Sequence, residues 1–286
     1  MKKYFNFMSS DEKTMIHGVK WLPEGEPKGV IQLIHGMVEY IERYDDFARF
    51  LTSQGFLVVG HDHLGHGASV RSVEDWGFIT ELAPARTLVR DIHQVRTIIQ
   101  KEYPTLPYYI LGHSMGSYLL RRYLTHKGKG LAGAIIVGTG SEPDMMVRSG
   151  LMLVRGTAKS KGWHFRSPML QNLTYSSAYK KYDLTRTSFE NSWVCSDPEI
   201  MKKYYSDARC SFLFTTSGFE ALLSTVLFVN QKRNIELIPK DLPLFIISGE
   251  GDPVGNLGKG VKDVYQKYVK AGITDIECKL YPDMRH

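Results

Sequence analysis

The sequence predicts an α/β protein in which a mostly parallel sheet is covered by helices on both faces. Short runs that are apolar throughout alternate with segments of helical periodicity, and these runs end at glycine or polar residues. Such runs are typical of parallel strands, because the crossover helices bury both faces of the sheet. The length of 286 residues and a hydrophobic fraction of 43% allow a sizeable core.

The first half of the chain carries most of the alternation. "GVIQLIHG" at 29–36 is predicted as a buried strand, and two earlier segments, "YFNFMS" and "IHGVKWL", as antiparallel edge strands. A helix is predicted over 39–54, with Tyr40, Tyr44, Phe47 and Leu51 on one face, and it ends at Gly55. The next predicted elements are a strand at 56–62, a helix at 85–101 with Leu88, Ile92, Val95 and Ile99 on one face, a strand at 108–114, a helix at 115–126 and a strand at 131–140.

The middle of the chain interrupts this alternation. Residues 141–236 are rich in Met, Tyr, Phe, Ser and Lys and contain helical segments at 145–155 and 217–229 but no convincing strand. The alternation resumes with a strand at 242–252, a helix at 258–271 and a strand at 275–283. We therefore expect one sheet domain formed by 1–140 and 237–286, with 141–236 inserted into it.

Composition and charge exclude several classes of protein. The net charge of +6 is spread along the chain, unlike the basic stripe of a nucleic-acid-binding protein. Cys195, Cys210 and Cys278 are odd in number and far apart, which predicts buried reduced thiols instead of disulfides or a zinc site. The sequence shows neither a signal peptide nor a membrane-spanning run, so we expect a cytoplasmic protein.

A glycine-flanked serine lies between a predicted strand and a predicted helix. "LGHSMGS" contains Gly112, His113, Ser114, Met115 and Gly116, a G-x-S-x-G pattern. A serine on such a sharp turn needs small residues two positions away, because the strand and the helix approach closely there. The pattern predicts Ser114 as a nucleophile; the alternative is a serine N-cap between packing glycines.

A serine nucleophile requires a base, and the base requires an acid that orients it. In proteins with this turn the acid and then the histidine follow the serine along the chain, after late strands. Asp252 directly follows "LFIISGEG", and His286 is the only histidine beyond it. We predict Asp252 as the acid and His286 as the base, with Glu250 and Asp283 as competing carboxylates.

The oxyanion of a tetrahedral intermediate needs backbone N–H donors near the nucleophile. Met115 supplies one N–H directly after Ser114, and Met37, in the loop after the 29–36 strand, supplies a second. His35 and Gly36 would shape that loop, for which an ordinary glycine turn is the alternative.

These motifs together resemble the α/β-hydrolase superfamily and, within it, the monoacylglycerol lipase and lysophospholipase group. The resemblance implies the α/β-hydrolase fold, with Ser114 as nucleophile, Asp252 as acid, His286 as base, and Met37 and Met115 as oxyanion donors. The matching segments are "HGMVEYIERY" (35–44), "GHDHLGHGAS" (60–69), "LGHSMGS" (111–117), "SGEGDPVG" (248–255) and "YPDMRH" (281–286), in the expected order.

Two further features of the sequence, a group of three histidines and the position of its last residue, bear on this resemblance. His61, His63 and His66 could suggest a metal site, but in the group that loop lies beside the active site, so we expect it to orient the oxyanion loop and expect no metal or other cofactor. Relatives usually continue past the catalytic histidine with a further helix, and we therefore expect this sequence to be truncated after His286; the alternative is a protein that has lost that helix.

The resemblance identifies 141–236 as a mainly helical cap over the active site. Its excess of Lys and Arg suits weak contact with a membrane surface, or an ordinary solvated face. We expect about a third of its apolar side chains to line a pocket for an acyl chain. These side chains are Met145, Met146, Leu151, Met152, Leu153, Val154, Phe212, Leu213, Phe214, Phe219, Leu222, Leu223, Val226, Leu227 and Phe228.

The expected reaction is hydrolysis of a small lipid ester, monoacylglycerol or lysophospholipid, through an acyl-enzyme at Ser114. A peptidase of the same fold remains open, for which Glu190 or Glu220 would hold the substrate amine. An acyltransferase, and a binding protein without catalysis on this scaffold, also remain open. The sequence does not determine the oligomeric state.

Overall fold

The protein is built on one eight-stranded sheet in a computed structural model that describes residues 1–175 and 177–286. The strands are β1 (Lys2–Met8), β2 (Met15–Trp21), β3 (Gly29–Ile34), β4 (Phe56–His61), β5 (Tyr108–His113), β6 (Gly133–Val137), β7 (Leu244–Gly249) and β8 (Ile276–Tyr281). Their order across the sheet is β1-β2-β4-β3-β5-β6-β7-β8. The β1–β2 and β2–β4 pairs are antiparallel and the other pairs are parallel, which confirms the predicted fold class and the antiparallel edge.

Nine α-helices are assigned in the described part of the chain. They are α1 (Asp45–Ser53), α2 (Pro84–Glu102), α3 (Met115–Lys127), α4 (Asp144–Lys161), α5 (Pro168–Leu173), α6 (Pro198–Ser206), α7 (Thr216–Asn230), α8 (Lys232–Ile235) and α9 (Lys259–Lys270). The predicted helices at 85–101, 115–126 and 258–271 agree with α2, α3 and α9 to within one residue at each end.

The core lies on both faces of the sheet. Every residue of the central strand β3 is buried, as expected for a strand covered on two sides. On α2 the predicted apolar face is the buried one, since Leu88, Ile92, Val95 and Ile99 have no exposed surface. Helical spacing thus predicted correctly which side of this helix packs on the sheet.

The helix predicted over 39–54 is shorter than expected. It begins at Asp45, after a 3₁₀ turn over Ile41–Tyr44. Residues 35–40 form a loop instead, and Phe47, which was expected on the buried face, is 39% exposed. The Gly36 N–H donates to the Glu39 carboxylate, and this contact holds residues 35–40 in a loop before α1 begins.

The inserted segment between β6 and β7 is helical. It contributes α4 to α8, and α4 and α7 pack on each other, while α7 also packs on α2 and α3 of the sheet domain. The three cysteines are unpaired, but only Cys210 is buried, so the expectation that all three are buried is wrong for Cys195 and Cys278. Among the described residues no helix has the length and apolar character needed to cross a bilayer.

Candidate active site

Ser114 occupies the turn between β5 and α3. Its backbone has φ 54° and ψ −123°, a strained conformation for a residue with a side chain. Its N–H donates to the carbonyl oxygen of Val137 at 3.0 Å, which ties the turn to β6. A Cβ on Gly112 would collide with the Gly116 carbonyl, and a Cβ on Gly116 with the carbonyl of Ile34. The flanking glycines therefore allow the close approach that the sequence pattern predicts.

Asp252 and His286 are brought together from two late segments of the chain. His286 Nδ1 lies 2.9 Å from Asp252 Oδ2, and the carboxylate also accepts hydrogen bonds from the Ser248 hydroxyl and the Val254 N–H, each at 2.8 Å. Burial alone would raise the pKa of Asp252, but the His286 charge and these hydrogen bonds outweigh burial and lower it. The competing carboxylates Glu250 and Asp283 are both exposed. Asp252 is therefore the carboxylate that can orient this imidazole.

Gly138, at the end of β6, makes room for the Asp252–His286 pair. A Cβ at this position would lie 2.9 Å from His286 Cε1, 3.0 Å from its Nδ1 and 3.4 Å from Asp252 Oδ2. The backbone there has φ +60°, which also favours glycine. Gly138 lies inside the segment predicted as a strand over 131–140, and nothing in that pattern marked it as a site residue.

Ser114 and His286 line one cavity of about 70 Å³, together with residues of the inserted segment 141–236, which is called the cap below. His286 Nε2 is buried and forms no hydrogen bond with any described residue, the Ser114 hydroxyl included. A serine–histidine bond is often loose before substrate binds, and it tightens in the complex. With Nδ1 committed to Asp252, Nε2 is the nitrogen available for proton transfer in this cavity.

The loop over residues 35–40, called here the oxyanion loop, runs directly beside Ser114. A Cβ on Gly36 would come within 2.9 Å of Ser114 Cβ. Met37 lines the same cavity, and Met115 is the first residue of α3, so its N–H faces outward from the positive end of that helix. The two residues predicted to supply these N–H groups, Met37 and Met115, thus both lie close to the serine.

Glu39 holds this loop in shape, a role that the sequence analysis missed. Its buried carboxylate accepts hydrogen bonds from the Gly36 N–H at 2.6 Å and the Tyr44 hydroxyl at 3.0 Å, and it pairs with Arg43. His113 Nδ1 lies 3.3 Å from it. Burial would raise the pKa of Glu39, but the His113 hydrogen bond and the Arg43 charge lower it, so the carboxylate is ionised. An acid in an otherwise uncharged loop was the available signal.

His113 lies between this network and the predicted base. Its ring centroid is 4.8 Å from that of His286, and its Nδ1 is 3.0 Å from the Tyr44 hydroxyl. The residue before the nucleophile therefore packs on the imidazole and connects it to the support of the oxyanion loop.

The segment that carries His61, His63 and His66, called here the histidine-rich loop, contacts the oxyanion loop at His35. The His63 N–H donates to His35 Nε2 at 2.9 Å, and His35 Nδ1 lies 2.8 Å from the Gly36 carbonyl oxygen. Burial lowers the pKa of His35 and of His61 to about 3 and that of His66 to about 4, so these rings are neutral at pH 7. In the described residues no group of histidine, cysteine or acidic side chains has an arrangement that could hold a metal ion.

Cap residues also hold the segment that carries the predicted base. Arg285 donates to backbone oxygens of Glu190, Ser192 and Cys195 at 2.8, 2.5 and 3.2 Å. The Trp193 ring packs on His286 with a centroid distance of 5.3 Å. The turn around His286 is therefore fixed by the cap as well as by the sheet.

Few of the apolar side chains expected to form an acyl pocket reach the cavity at Ser114 in the described part of the chain. Of the fifteen apolar side chains expected to contribute to it, only Phe212 lines the cavity at Ser114. Others, such as Leu151 and Val226, are buried between helices, and Met145 and Met152 are 80% and 74% exposed. The cavity is lined instead by aromatic and polar cap residues, including Tyr175, Trp193, Tyr204, Asp183 and Arg186. Apolar composition alone could not distinguish packing between helices from lining of a cavity.

Comparisons with known proteins find a matching family and similar lipases. The family model described as serine aminopeptidase, S33 matches residues 25–286. Monoglyceride lipase of Mus musculus is 42% identical over 96 residues, which are 34% of this chain and 30% of that protein. Monoacylglycerol lipase of Mycolicibacterium smegmatis is 25% identical over 269 residues, 93% of this chain and 84% of that protein. The matches to the mouse, rat and human lipases span 30–37% of those proteins.

Solved structures have the same fold over the whole chain. A thermostable carboxyl esterase from Bacillus coagulans, solved in complex with glycerol, is 27% identical with a TM-score of 0.90, covering 100% of this chain and 91% of that one. A soluble variant of monoglyceride lipase from Saccharomyces cerevisiae is 20% identical with a TM-score of 0.72, covering 99% and 86%.

Proposed function

This chain belongs to the serine aminopeptidase, S33, family of α/β-hydrolases, and on this premise we propose that it cleaves carboxylic esters of lipid-like substrates. In the proposed reaction the Ser114 hydroxyl oxygen attacks the ester carbonyl carbon while its proton moves to His286 Nε2. Asp252 stabilises the resulting imidazolium, and the N–H groups of Met37 and Met115 bind the oxyanion. The intermediate then expels the alcohol, which takes the proton from His286, and water hydrolyses the acyl-enzyme by the same route.

The observation that carries this proposal is the orientation of the imidazole. The 2.9 Å contact between His286 Nδ1 and Asp252 Oδ2 leaves Nε2 directed away from the acid, and Ser114 lines the same cavity. The lowered pKa of Asp252 supports a carboxylate that remains ionised at neutral pH, as an orienting acid must.

Monoacylglycerol or lysophospholipid is the substrate class we propose. The relatives named as monoglyceride and monoacylglycerol lipases support it. A cavity of about 70 Å³ is far smaller than the 300 Å³ or more of a typical ligand pocket, so an acyl chain requires the cap to move. The reaction therefore includes an opening of the cap before the ester reaches Ser114.

The family description raises a second candidate, an aminopeptidase, and the cavity argues against it. A substrate amine needs a carboxylate that is free to receive it. Glu39 and Asp183 are the carboxylates that line the cavity among the described residues, and both are engaged within the protein. Glu39 accepts from Gly36, Tyr44 and Arg43, and Asp183 from Thr185, Thr187 and Ser188.

The acids considered earlier for a peptidase do not supply this carboxylate either. Glu220 pairs with Arg155, with contacts of 2.7 and 3.0 Å, and lines a separate cleft formed by α4, α7 and the start of α2. Glu190 is exposed and does not line the cavity at Ser114. Turnover of unblocked peptides at rates comparable to esters would contradict the ester assignment.

Weak membrane contact through α4 is part of the proposal. Met145, Met146 and Met152 are more than half exposed on this helix, and basic side chains such as Arg148 are exposed beside them. Exposed apolar groups with neighbouring cations are typical of helices that bind an anionic lipid surface. Sedimentation with anionic vesicles should fall when Met145 and Met152 are changed to Gln, and equal binding of both proteins would contradict this contact.

The test of the reaction is an ester panel with matched serine variants. We expect the wild type to hydrolyse monoacylglycerols and lysophospholipids and to be labelled by a fluorophosphonate. Ser114→Ala should lower kcat by roughly 10⁴- to 10⁶-fold and abolish labelling. Ser160→Ala, on an exposed position of α4, is the matched control and should keep both.

The other outcomes separate the alternatives. Equal residual turnover in wild type and Ser114→Ala would refute the catalytic assignment, and an unlabelled wild type would indicate a binding protein. Added glycerol with analysis of the acyl products distinguishes hydrolysis from acyl transfer, because an acyltransferase would form a new glyceryl ester.

A further inference from the structure

Helix α6 of the cap touches the oxyanion loop through Tyr204. The Tyr204 hydroxyl donates a hydrogen bond to the carbonyl oxygen of Val38 at 3.1 Å. Val38 has φ +57°, a left-handed conformation that is unfavourable for a β-branched residue. A strained residue of this kind persists only where its surroundings hold it. The cap side chain is one of the groups that hold it.

The other side of the same loop is held by the Glu39 network. The Gly36 N–H donates to Glu39, which pairs with Arg43, and the Arg43 guanidinium lies 4.5 Å from the centroid of the Tyr204 ring. Met37 is therefore flanked by a fixed N–H at Gly36 and a fixed carbonyl at Val38. Its own N–H is the proposed oxyanion donor and lies in the same peptide plane as the Gly36 carbonyl, which is 2.8 Å from His35 Nδ1. The direction of that donor therefore depends on this contact together with the anchors at Gly36 and Val38.

Tyr204 can serve as a stable donor because it remains protonated. Burial is the main cause of a raised pKa at Tyr204, and the nearby negative charge of Glu39 raises it further. Next along the cap, the Tyr40 hydroxyl lies 2.9 Å from Asp207 Oδ2, and the Arg209 guanidinium stacks 3.8 Å from the Tyr40 ring. This second contact fixes the end of α6 against the far end of the oxyanion loop.

We infer that Tyr204 is a positioning residue which aligns the Met37 N–H, so that closure of the cap completes the oxyanion hole. This inference rests on the proposed function. When the cap opens for substrate, the Tyr204–Val38 bond breaks and Val38 loses the contact that offsets its strain. The donor is then aligned only when the cap has closed over the bound ester, which couples catalysis to enclosure of the substrate.

The test compares Tyr204→Phe with the wild type and with a control variant, Tyr265→Phe. The control also removes a tyrosine hydroxyl, but from α9. Complete loss of an oxyanion donor lowers kcat by about 10²- to 10³-fold, and a displaced donor should cost less. We expect kcat to fall about tenfold in Tyr204→Phe, with KM within about twofold of wild type. Tyr265→Phe should keep both constants.

A trifluoromethyl ketone reports on the oxyanion hole separately. Ser114 Oγ bonds to its carbonyl carbon, the carbonyl electron pair moves to oxygen, and the hydroxyl proton moves to His286. Affinity for this adduct should weaken by about the same factor as kcat, because both depend on the aligned donor. A merely structural role for Tyr204 would lower thermal stability without this parallel loss.

The Val38→Gly background keeps the inference testable even if Tyr204→Phe folds poorly. Glycine adopts the left-handed conformation without strain, so Tyr204→Phe should have a smaller effect on kcat there. Unchanged kcat and ketone affinity in Tyr204→Phe, or an equal loss in both backgrounds, would overturn the inference. Those outcomes leave the proposed function intact if the wild type still hydrolyses esters, whereas an inactive wild type would refute that function instead.

Discussion

Gly138→Ala should impair the site while leaving the fold in place. The new Cβ would lie 2.9 Å from His286 Cε1 and 3.0 Å from Nδ1, whereas such atoms pack at about 3.5 Å. The imidazole must therefore retreat by about 0.5 Å. It cannot do so freely, because the Trp193 and His113 rings pack on it with centroid distances of 5.3 and 4.8 Å.

The magnitude follows from this displacement. A misplacement of about 1 Å can cost about 100-fold in rate, so about 0.5 Å should cost about tenfold in kcat/KM. That corresponds to about 1.4 kcal/mol of transition-state stabilisation. Alanine at φ +60° adds a backbone cost of about 1 kcal/mol to the free energy of folding.

A second glycine variant separates the loss of kcat/KM from the backbone cost to stability. Gly25 also has a positive φ, +77°, but a Cβ there would have no atom within 4 Å. Gly25→Ala should therefore lose similar thermal stability and keep its kcat/KM. If Gly138→Ala retains wild-type kcat/KM in a folded protein, the reasoning about the Asp252–His286 geometry is wrong.

Two further predictions concern acid stability and the turn before the base. His61 and His66 have pKa values of about 3 and 4 when folded, below the ordinary 6.5, so they contribute stability above pH 6.5 that is lost as pH falls toward those values. By pH 4.5 the loss of stability is about 2–3 kcal/mol for each ring. Chemical denaturation from pH 7 to 4.5 should show the free energy of unfolding falling, and the fall should be less steep in His61→Phe. A free energy of unfolding that does not change with pH would contradict this prediction. Arg285→Met removes three hydrogen bonds to the cap and should lower kcat several-fold, because His286 is then held less firmly. Arg90→Met, at an exposed position of α2, is the control and should keep kcat. Equal kcat in the two variants would show that the Arg285 hydrogen bonds are dispensable.

Local patterns predicted the fold and the turn at the nucleophile well. Strand and helix periodicities are set by backbone geometry within a few residues. The succession of strands β3 to β8 along the chain and the buried face of α2 could therefore be predicted from them. The start of α1 did not, because residues 35–40 are held out of the helix by Glu39, which bonds to the Gly36 N–H. This contact shapes the loop beside Ser114, and no periodic pattern in the sequence indicates it.

The cap was the least predictable part of the chain. Apolar residues at 145–154 and 219–228 predicted burial, but side chains packed between α4 and α7 have the same composition as side chains lining a cavity. Only the packing of these helices determined that Phe212 alone, among those expected, reaches the cavity at Ser114. The polar and aromatic cap residues that do line it, Tyr204 among them, gave no pattern in the sequence.

The sequence by itself determined the residue types and their chain order: a serine between glycines on a sharp turn, then an acid, then a histidine. Steric constraints on that turn act over five neighbouring residues, so they are visible in a short motif. The tertiary structure alone decided which groups support these residues, namely Glu39, Gly138, Tyr204 and Arg285. Their roles depend on distances between segments far apart in the chain, and such distances are set by packing of the whole sheet and cap.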